Sequence, residues 1–375
     1  MIELIRRLDR SRFDVRVACF HREGAWLPRV EEAVPEILEL PLRSFASLST
    51  VAVARQFADW LRERRIDVVQ ACDRYANIFA LPAAALAGTA VRVGGRRELS
   101  PPGQTRAHRM LMRFAYRCAH RIVANSAGAI DSLRNEGVAS GKIALIPNGI
   151  DVGLFAPRHR SREGLVVATV ANLRPGKGHD VLLRAAAVIL RQRPSIRFRL
   201  IGGGPLANEL AELARTLGIA HAVDFLGHRD DVPAQLADSD IYAFPSLTEA
   251  FPNGLIEGMA AGLPVVASDA PGINELIQPG ATGLLVPPGD HDSLAEAILQ
   301  LADDPGRASR LASAAQAAVH SRYSFERMVT AFEALYLGTL SRTRYAVSGT
   351  PTCAASLENS GSHRQGPSTA TSSNG

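Results

Sequence analysis

The stretch from Phe244 to Pro264 constrains the fold of this 375-residue chain more than any other. A short apolar segment at 240–244 runs into a loop of Pro, Ser and Thr residues, and a helix follows at Pro252 or Asn253. Proline suits the first position of a helix, because its missing N–H would have no partner there. Another apolar segment follows at 264–268. The order predicts a strand–helix–strand unit in a parallel sheet.

The start of this helix predicts an anion site. We expect the first turn to offer unpaired backbone N–H groups of Asn253, Gly254 and Leu255, and a helix N-terminus favours phosphate. Glu249 and Glu257 bracket the turn. An ionised carboxylate accepts hydrogen bonds from sugar hydroxyls, so the stretch indicates a phosphate beside a polyol, as in a nucleotide sugar. The alternative is an ordinary helix cap between two surface glutamates.

Strands and helices alternate along nearly the whole chain, which predicts an α/β protein with parallel sheets covered on both faces. We expect a first Rossmann-like domain at 1–157, a linker at 155–164 and a second Rossmann-like domain at 165–320. A helix at 321–340 is expected to pack back towards the first domain. The Ser/Thr/Gly-rich segment at 341–375 is expected to be disordered. A short helix is also expected at 273–277.

Composition excludes several classes of protein. No apolar run is long enough to span a bilayer. The four cysteines have no metal-like spacing, which indicates a reducing compartment and favours a cytoplasmic protein. Residues 1–150 contain 23 Lys and Arg against 15 Asp and Glu, a charge of +8, whereas the remainder carries −3. The basic half indicates an anionic partner there, such as a membrane surface, with a solvated Arg-rich surface as the alternative. We expect no nucleic-acid partner.

A basic amphipathic helix is predicted at Arg106–Arg121. Its five arginines recur every three or four residues and so share one face, and four apolar side chains occupy the adjacent flank. The arginines are Arg106, Arg109, Arg113, Arg117 and Arg121, and the apolar residues are Met110, Leu111, Phe114 and Cys118. Such a helix can lie on an anionic membrane, here at its inner face. The alternative is a solvated arginine face over an ordinary core stripe.

The stretch from Glu249 to Glu257 resembles the E-x7-E signature of glycosyltransferase family 4, the retaining group 1 glycosyltransferases. The likeness continues through 262–268 and 283–290 and extends over about residues 2–340. It implies the GT-B fold, in which two Rossmann-like domains face each other across a cleft. It also implies transfer of a sugar from a nucleotide-diphosphate sugar to a glycan, lipid-linked or small-molecule acceptor, with retention of anomeric configuration. No metal or other cofactor is expected, and cell-envelope polysaccharides are the expected context.

The resemblance assigns the acceptor to the first domain and the donor to the second. It gives catalytic roles to Lys177, in a glycine-flanked turn, to Glu249 and to Arg174. Lys177 is one of only two lysines in an arginine-rich chain. The family usually has an arginine where this chain has Asn172, so Arg174 is the candidate replacement. The residues implied to bind the donor are Gly203, Arg229, Phe251, Asn253, Gly254, Leu255 and Glu257.

The chain departs from the family pattern in two places. Family members commonly have a histidine after the strand at 91–95, where this chain has Arg96 and Arg97. A donor-binding protein that has lost catalysis therefore stays open as an alternative, as does another GT-B enzyme such as a sugar-nucleotide epimerase. Family members also begin with a strand and a glycine turn ahead of the helix at 2–8. We therefore expect that the first domain lacks its first strand and that the chain as given is poorly soluble or inactive.

Overall fold

The computed structural model describes residues 1–24, 26–42, 45, 47–99, 105–155 and 164–348. Most of the expected linker and most of the expected tail lie outside these residues. The described part forms two α/β halves, each built on parallel strands. Within it, no helix combines the length and the apolar character needed to cross a membrane.

The described residues of the N-terminal half form six strands in two separate sheets. β3, β4, β5 and β6 form one parallel sheet in that order, and β1 pairs only with β2. In chain order its elements are α1 (Ile2–Arg7), β1 (Val17–Cys19), α2 (Leu27–Glu31), β2 (Ile37–Glu39), α3 (Leu48–Glu63), β3 (Val68–Gln70), α4 (Arg74–Ala87), β4 (Val91–Arg96), α5 (Arg106–Cys118), β5 (Arg121–Ala124), α6 (Ala127–Asn135) and β6 (Ile143–Leu145).

The C-terminal half is built on one continuous sheet of six parallel strands. Its strand order is β12-β11-β10-β7-β8-β9. In chain order its elements are β7 (Val166–Val170), α7 (His179–Gln192), β8 (Arg197–Ile201), α8 (Ala207–Thr216), β9 (Val223–Phe225), α9 (Val232–Ala237), β10 (Ile241–Phe244), α10 (Asn253–Ala260), β11 (Val265–Ser268), β12 (Leu284–Val286), α11 (His291–Asp303), α12 (Pro305–Arg322) and α13 (Phe325–Ser348).

Polar side chains fix where several helices of the N-terminal half begin. A side-chain oxygen of Asp73 accepts a hydrogen bond from the Ala76 N–H at 2.8 Å, and Ser126 does the same for Ala129 at 3.1 Å. These bonds satisfy N–H groups that the helix itself leaves unpaired. Each helix therefore starts directly after a strand, at the carboxyl edge of the sheet, where ligands bind in open α/β folds.

The last helix joins the two halves. The chain crosses back at Tyr323 and Phe325, which exchange backbone hydrogen bonds of 2.8 and 3.0 Å with Ile150. α13 then buries Phe332 and Tyr336 in the core of the N-terminal half, beside α1 and β4. It extends through Ser348, eight residues past the expected end at 340, so 341–348 are helical where disorder was expected.

Two other expectations about helices were wrong. Residues 271–276 form turns instead of a helix, with i to i+3 bonds such as Ile273 N–H to Ala270 O at 3.0 Å. α5 ends at Cys118, because the His120 N–H donates to the Arg92 carbonyl at 2.8 Å and starts the next strand pairing. Arg121 consequently lies in β5, away from the arginines of α5. α6 was not predicted at all.

Candidate functional site

Lys177 and Glu249 meet at the carboxyl edge of the six-stranded sheet. Lys177 lies in the loop after β7 and Glu249 in the loop after β10, and β7 and β10 are neighbours. The Lys177 Nζ is 2.6 Å from the Glu249 Oε1, and the Ser246 hydroxyl donates to the same oxygen at 2.7 Å. The lysine side chain keeps 27% of its surface exposed and the glutamate 10%. The site thus contains an ammonium group that a stronger anion can reach.

The loop that contains Lys177 packs against the loop after β10 so closely that a glycine is required directly after the lysine. Gly178 has a φ of +69°, and a Cβ at this position would lie 2.0 Å from the Pro245 carbonyl oxygen. The Leu247 N–H also donates to the Gly176 carbonyl at 2.9 Å. The two loops are therefore locked together by close backbone packing, and this packing brings Lys177 to Glu249.

The amino end of α10 opens beside this ion pair. No side chain caps it, and Pro252 occupies the N-cap position. The Leu255 N–H donates to the Pro252 carbonyl at 3.1 Å. Of the three N–H groups expected to be unpaired, that of Leu255 is therefore used inside the turn. Gly254 allows close packing, since a Cβ there would lie 2.2 Å from the Val170 carbonyl oxygen at the end of β7.

Two buried titratable groups lie behind this edge. Burial raises the pKa of the Glu257 carboxyl to about 7, so this side chain is partly protonated near neutrality. Burial lowers the pKa of His179 to about 4, with a smaller opposing effect from Asp180. His179 begins α7 directly after the Lys177 loop and is neutral at pH 7. His179 therefore adds no positive charge beside Lys177.

Tyr242 positions the end of β7, a role that the sequence analysis missed. Its ring is fully buried, and its hydroxyl accepts a hydrogen bond from the Val170 N–H at 3.1 Å. The Lys177 loop starts at the next residue, Ala171. A tyrosine inside an apolar strand is the signal that could have been used, because a buried phenol normally finds a hydrogen-bond partner.

The remaining expected donor residues have different surroundings. Arg229 is exposed, and its guanidinium holds Asp231 through two hydrogen bonds of 2.7 Å. The Phe251 ring packs edge-on against Tyr323 with centroids 5.7 Å apart. The exposed Arg174 side chain has neither a hydrogen bond nor an ion pair within the described residues.

Gly203 lies at the glycine turn after β8, next to the loop that carries Arg229. A Cβ at Gly203 would be 3.6 Å from the His228 backbone nitrogen, and the Gly202 N–H donates to the Gly227 carbonyl at 2.9 Å. The structure thus brings Gly203 and the 227–231 loop together at one end of the same sheet edge. Lys177, Glu249 and the start of α10 form the centre of that edge.

The N-terminal half contacts this edge at two points. The Asn148 Nδ2 donates to the Asn253 Oδ1 at 3.0 Å. The Glu275 carboxylate accepts hydrogen bonds from the Ala127 and Gly128 N–H groups, at 2.9 and 3.0 Å, at the amino end of α6. An anion is favoured at that helix end. The sequence analysis missed the Glu275 contact because it did not predict α6.

The position where the family commonly has a histidine is occupied by a buried arginine. The Arg96 Nη2 is 2.8 Å from the Glu136 Oε1, and only 2% of its side chain is exposed. Its Nε donates to the Glu98 carbonyl at 2.8 Å. Arg96 therefore binds protein carboxylate and carbonyl groups, whereas Arg97 is exposed.

Two family models match the chain and together extend from residue 1 to residue 318. The model described as Glycosyltransferase Family 4 matches 1–154, and that described as Glycosyl transferases group 1 matches 155–318.

Curated relatives match parts of the chain. D-inositol 3-phosphate glycosyltransferase of Actinosynnema mirum is 34% identical over 240 residues, which cover 58% of this chain and 57% of the relative. The GDP-mannose-dependent monoacylated alpha-(1-6)-phosphatidylinositol monomannoside mannosyltransferase of Corynebacterium glutamicum is 29% identical over 317 residues, 75% of this chain and 79% of the relative. For several relatives the chain spans about half the length, as with the 47% of the Rhodococcus jostii inositol phosphate enzyme.

Solved structures resemble the fold over nearly the whole chain. Anabaena Alr3699/HepE in complex with UDP superposes with a TM-score of 0.76 at 24% identity, covering 93% of this chain and 95% of that protein. A glycosyltransferase from Rickettsia africae gives a TM-score of 0.78 at 19% identity, with 90% and 93% covered.

Proposed function

The chain belongs to glycosyltransferase family 4, the group 1 glycosyl transferases, and from that premise we propose that it transfers a sugar from a nucleotide-diphosphate sugar to an acceptor. Its fold is GT-B, as the resemblance to family sequences implied. The proposal rests above all on the reachable ammonium of Lys177, set beside the uncapped start of α10 at the carboxyl edge of the sheet.

We propose that the donor diphosphate replaces Glu249 as the partner of Lys177. Phosphate oxygens gain a charge-assisted bond from the lysine and favourable interaction with the amino end of α10. Glu249, released from the ammonium, then accepts hydrogen bonds from hydroxyls of the donor sugar, and Glu257 from those of the ribose. UDP bound to Alr3699/HepE supports a nucleotide donor without identifying the base for this chain.

The transfer is proposed to retain the anomeric configuration and to use no metal. The bond from the anomeric carbon to the leaving phosphate breaks, and the acceptor oxygen bonds to that carbon on the same face. A leaving-phosphate oxygen takes the acceptor proton. Lys177, the α10 start and Arg174 stabilise the negative charge that develops on the diphosphate, which is an electrostatic contribution to catalysis.

The acceptor is proposed to be a glycan or a lipid-linked sugar held by the N-terminal half. Relatives named for phosphatidylinositol mannoside and exopolysaccharide chemistry support an acceptor of the cell envelope. An anionic lipid acceptor also suits the net charge of +8 on residues 1–150. We propose that the protein works in the cytoplasm at the inner face of the membrane.

A thermal-shift screen against UDP-, GDP- and ADP-sugars tests the donor. A ligand that binds only the folded protein raises its melting temperature, so one nucleotide should stabilise the chain at concentrations where the others do not. Transfer from that donor, followed by NMR of the product linkage, tests retention, and EDTA tests metal independence. Stabilisation by a donor without transfer or hydrolysis would instead favour a binding protein, the alternative motivated by Arg96 at the histidine position. Conversion of the donor sugar without transfer would favour an epimerase.

A further inference from the structure

α5 exposes a continuous apolar stripe beside its arginines. The side chains of Met110, Leu111 and Phe114 have 71%, 46% and 57% of their surface exposed. The residues that α5 buries are different ones: Met112, Ala115 and Tyr116. Large apolar side chains exposed side by side on one helix indicate an interaction surface.

This arrangement favours the membrane-face interpretation of the basic helix over the solvated arginine face. If the arginines were an ordinary solvated face, Met110, Leu111 and Phe114 would be buried in the core. The core stripe is already complete without Met110, Leu111 and Phe114, and these three project from the opposite side of the helix. Within the part of the chain that the structure describes, these three apolar side chains therefore stay largely uncovered.

The arginines border this stripe along one edge. Arg106, Arg109, Arg113 and Arg117 follow each other at spacings of three and four, and all four side chains are exposed. The Arg113 Nε donates to the Glu136 carbonyl at 3.1 Å. In the described part of the chain the other three have no ion-pair partner, and α5 itself contains no acidic residue.

We propose that α5 is a docking face for an anionic lipid bilayer, with the Met110–Leu111–Phe114 stripe inserted between headgroups and the arginines bound to lipid phosphates. Arginine suits this position, because its long apolar stem can follow the stripe while the guanidinium stays at the phosphate level. The positive charge of the N-terminal half adds longer-range attraction to the same surface. The face does not depend on the proposed transfer reaction.

Vesicle sedimentation tests the docking face directly. The full-length protein should sediment at low salt with vesicles of equal parts phosphatidylcholine and phosphatidylglycerol, and much less with phosphatidylcholine alone. Raising salt to about 0.5 M should release it, because the interaction of the arginines with lipid is screened. Equal binding to both kinds of vesicle, or none to the anionic ones, would overturn the proposal.

Two triple variants separate the apolar and the basic contributions. Replacing Arg106, Arg109 and Arg117 with Gln should lower the partition coefficient about a hundredfold, and Arg113 is left in place because it bonds to Glu136. Met110→Ser, Leu111→Ser and Phe114→Ser together should lower it at least about tenfold. The matched control replaces three exposed arginines of the C-terminal half with Gln and should bind like the unaltered protein; these are Arg184, Arg191 and Arg310.

The depth of insertion gives an independent readout. In a Phe114→Trp variant the new fluorescence should shift to shorter wavelength with anionic vesicles and be quenched by brominated lipid chains. A variant whose emission stays that of a solvated indole while the protein sediments would show that α5 is not the inserted element. Sedimentation velocity without lipid tests whether a second copy of the chain covers the stripe instead. A dimer that dissociates in the triple serine variant would assign the stripe to self-association and overturn the proposal.

Discussion

The two halves are both α/β, yet their sheets differ in continuity. In the C-terminal half six parallel strands follow one another without a break, and the central strand β7 pairs along its whole length with β8 and through Val167 and Ala168 with β10. In the N-terminal half β1 and β3 face each other without pairing, and a cavity of about 430 Å³ lies between them. Its walls include Val17, Val69 and Phe79.

The difference shows what holds each functional region in place. Lys177 and Glu249 follow neighbouring strands of a fully paired sheet, so their separation is set by backbone hydrogen bonds and by glycine packing. In the N-terminal half the two sheets are separate, and α13 adds Phe332 and Tyr336 to the core beside α1 and β4. Donor binding should therefore be insensitive to changes in the N-terminal half that leave the fold intact.

The two lysines provide the sharpest test of this difference. Lys177→Ala should weaken donor binding by about ten- to a hundredfold, because it removes a charge-assisted phosphate contact worth about 1.5–3 kcal/mol. Lys142→Ala is the matched control in the other half. The Lys142 ammonium donates to the Tyr116, Arg117 and Ala119 carbonyls at 2.7–3.2 Å, so its loss should lower the melting temperature and leave donor affinity unchanged.

Titration calorimetry with the nucleotide found by the screen measures both affinities. If Lys177→Ala and the unaltered protein bind the nucleotide with equal affinity, the Lys177 loop is not part of the donor site. A large loss of affinity in a well-folded Lys142→Ala protein would show instead that the halves are tightly coupled.

Cavity filling compares the two cores. Ala80 of α4 lines the 430 Å³ cavity, whereas Ala186 of α7 is fully buried in the core under the continuous sheet. Ala186→Leu should destabilise the protein by about 1–3 kcal/mol through overpacking. Ala80→Leu should cost less than about 1 kcal/mol or stabilise slightly, since the cavity accepts the added methyl groups. Chemical denaturation of both variants measures the difference, and equal losses would show that the cavity does not accommodate the new side chain.

The sequence predicted the strand–turn–helix elements of the donor side because each has an apolar run followed by Gly or Pro. It also predicted that Lys177 and Glu249 would face one ligand, through their likeness to family motifs. It could not show that they pair at 2.6 Å, since this depends on the register of β7 against β10. The turns at 271–276 were misread as a helix, because Ile273 and Ile277 are both buried at helical spacing.

The pH dependence of Glu257 tests the electrostatics of the donor half. Its pKa is raised by burial to about 7 from an ordinary value of 4.5, so ionisation costs more in the folded than in the unfolded state. The resulting contribution to stability is fully present below pH 4.5 and is lost as the pH rises through 7. Glu257→Gln should therefore melt at a higher temperature than the unaltered protein at pH 8, and the difference should shrink towards pH 5.

The raised pKa of Glu257 also predicts how donor affinity changes with pH. Ribose hydroxyls donate to an ionised carboxylate, so nucleotide affinity should increase between pH 6 and pH 8, the window set by a pKa of about 7. Glu257→Gln should remove this increase. If nucleotide affinity changes with pH in the same way in Glu257→Gln and in the unaltered protein, the ribose does not bind to Glu257.

The smallest expected effect concerns the contact between the halves at Glu275. Its carboxylate bonds to two N–H groups at the start of α6, and an anion at an exposed helix N-terminus contributes about 0.3–1 kcal/mol. Glu275→Gln keeps the side-chain shape and removes the charge, so the melting temperature should fall only slightly. The contact lies across the cleft, and its loss should favour more open arrangements, seen as an increased radius of gyration in X-ray scattering. Because the Asn148–Asn253 bond would remain, Asn148→Ala combined with Glu275→Gln should open the cleft further than either change alone. A double variant as compact as the unaltered protein would show that α13, which crosses between the halves, is sufficient to hold them together.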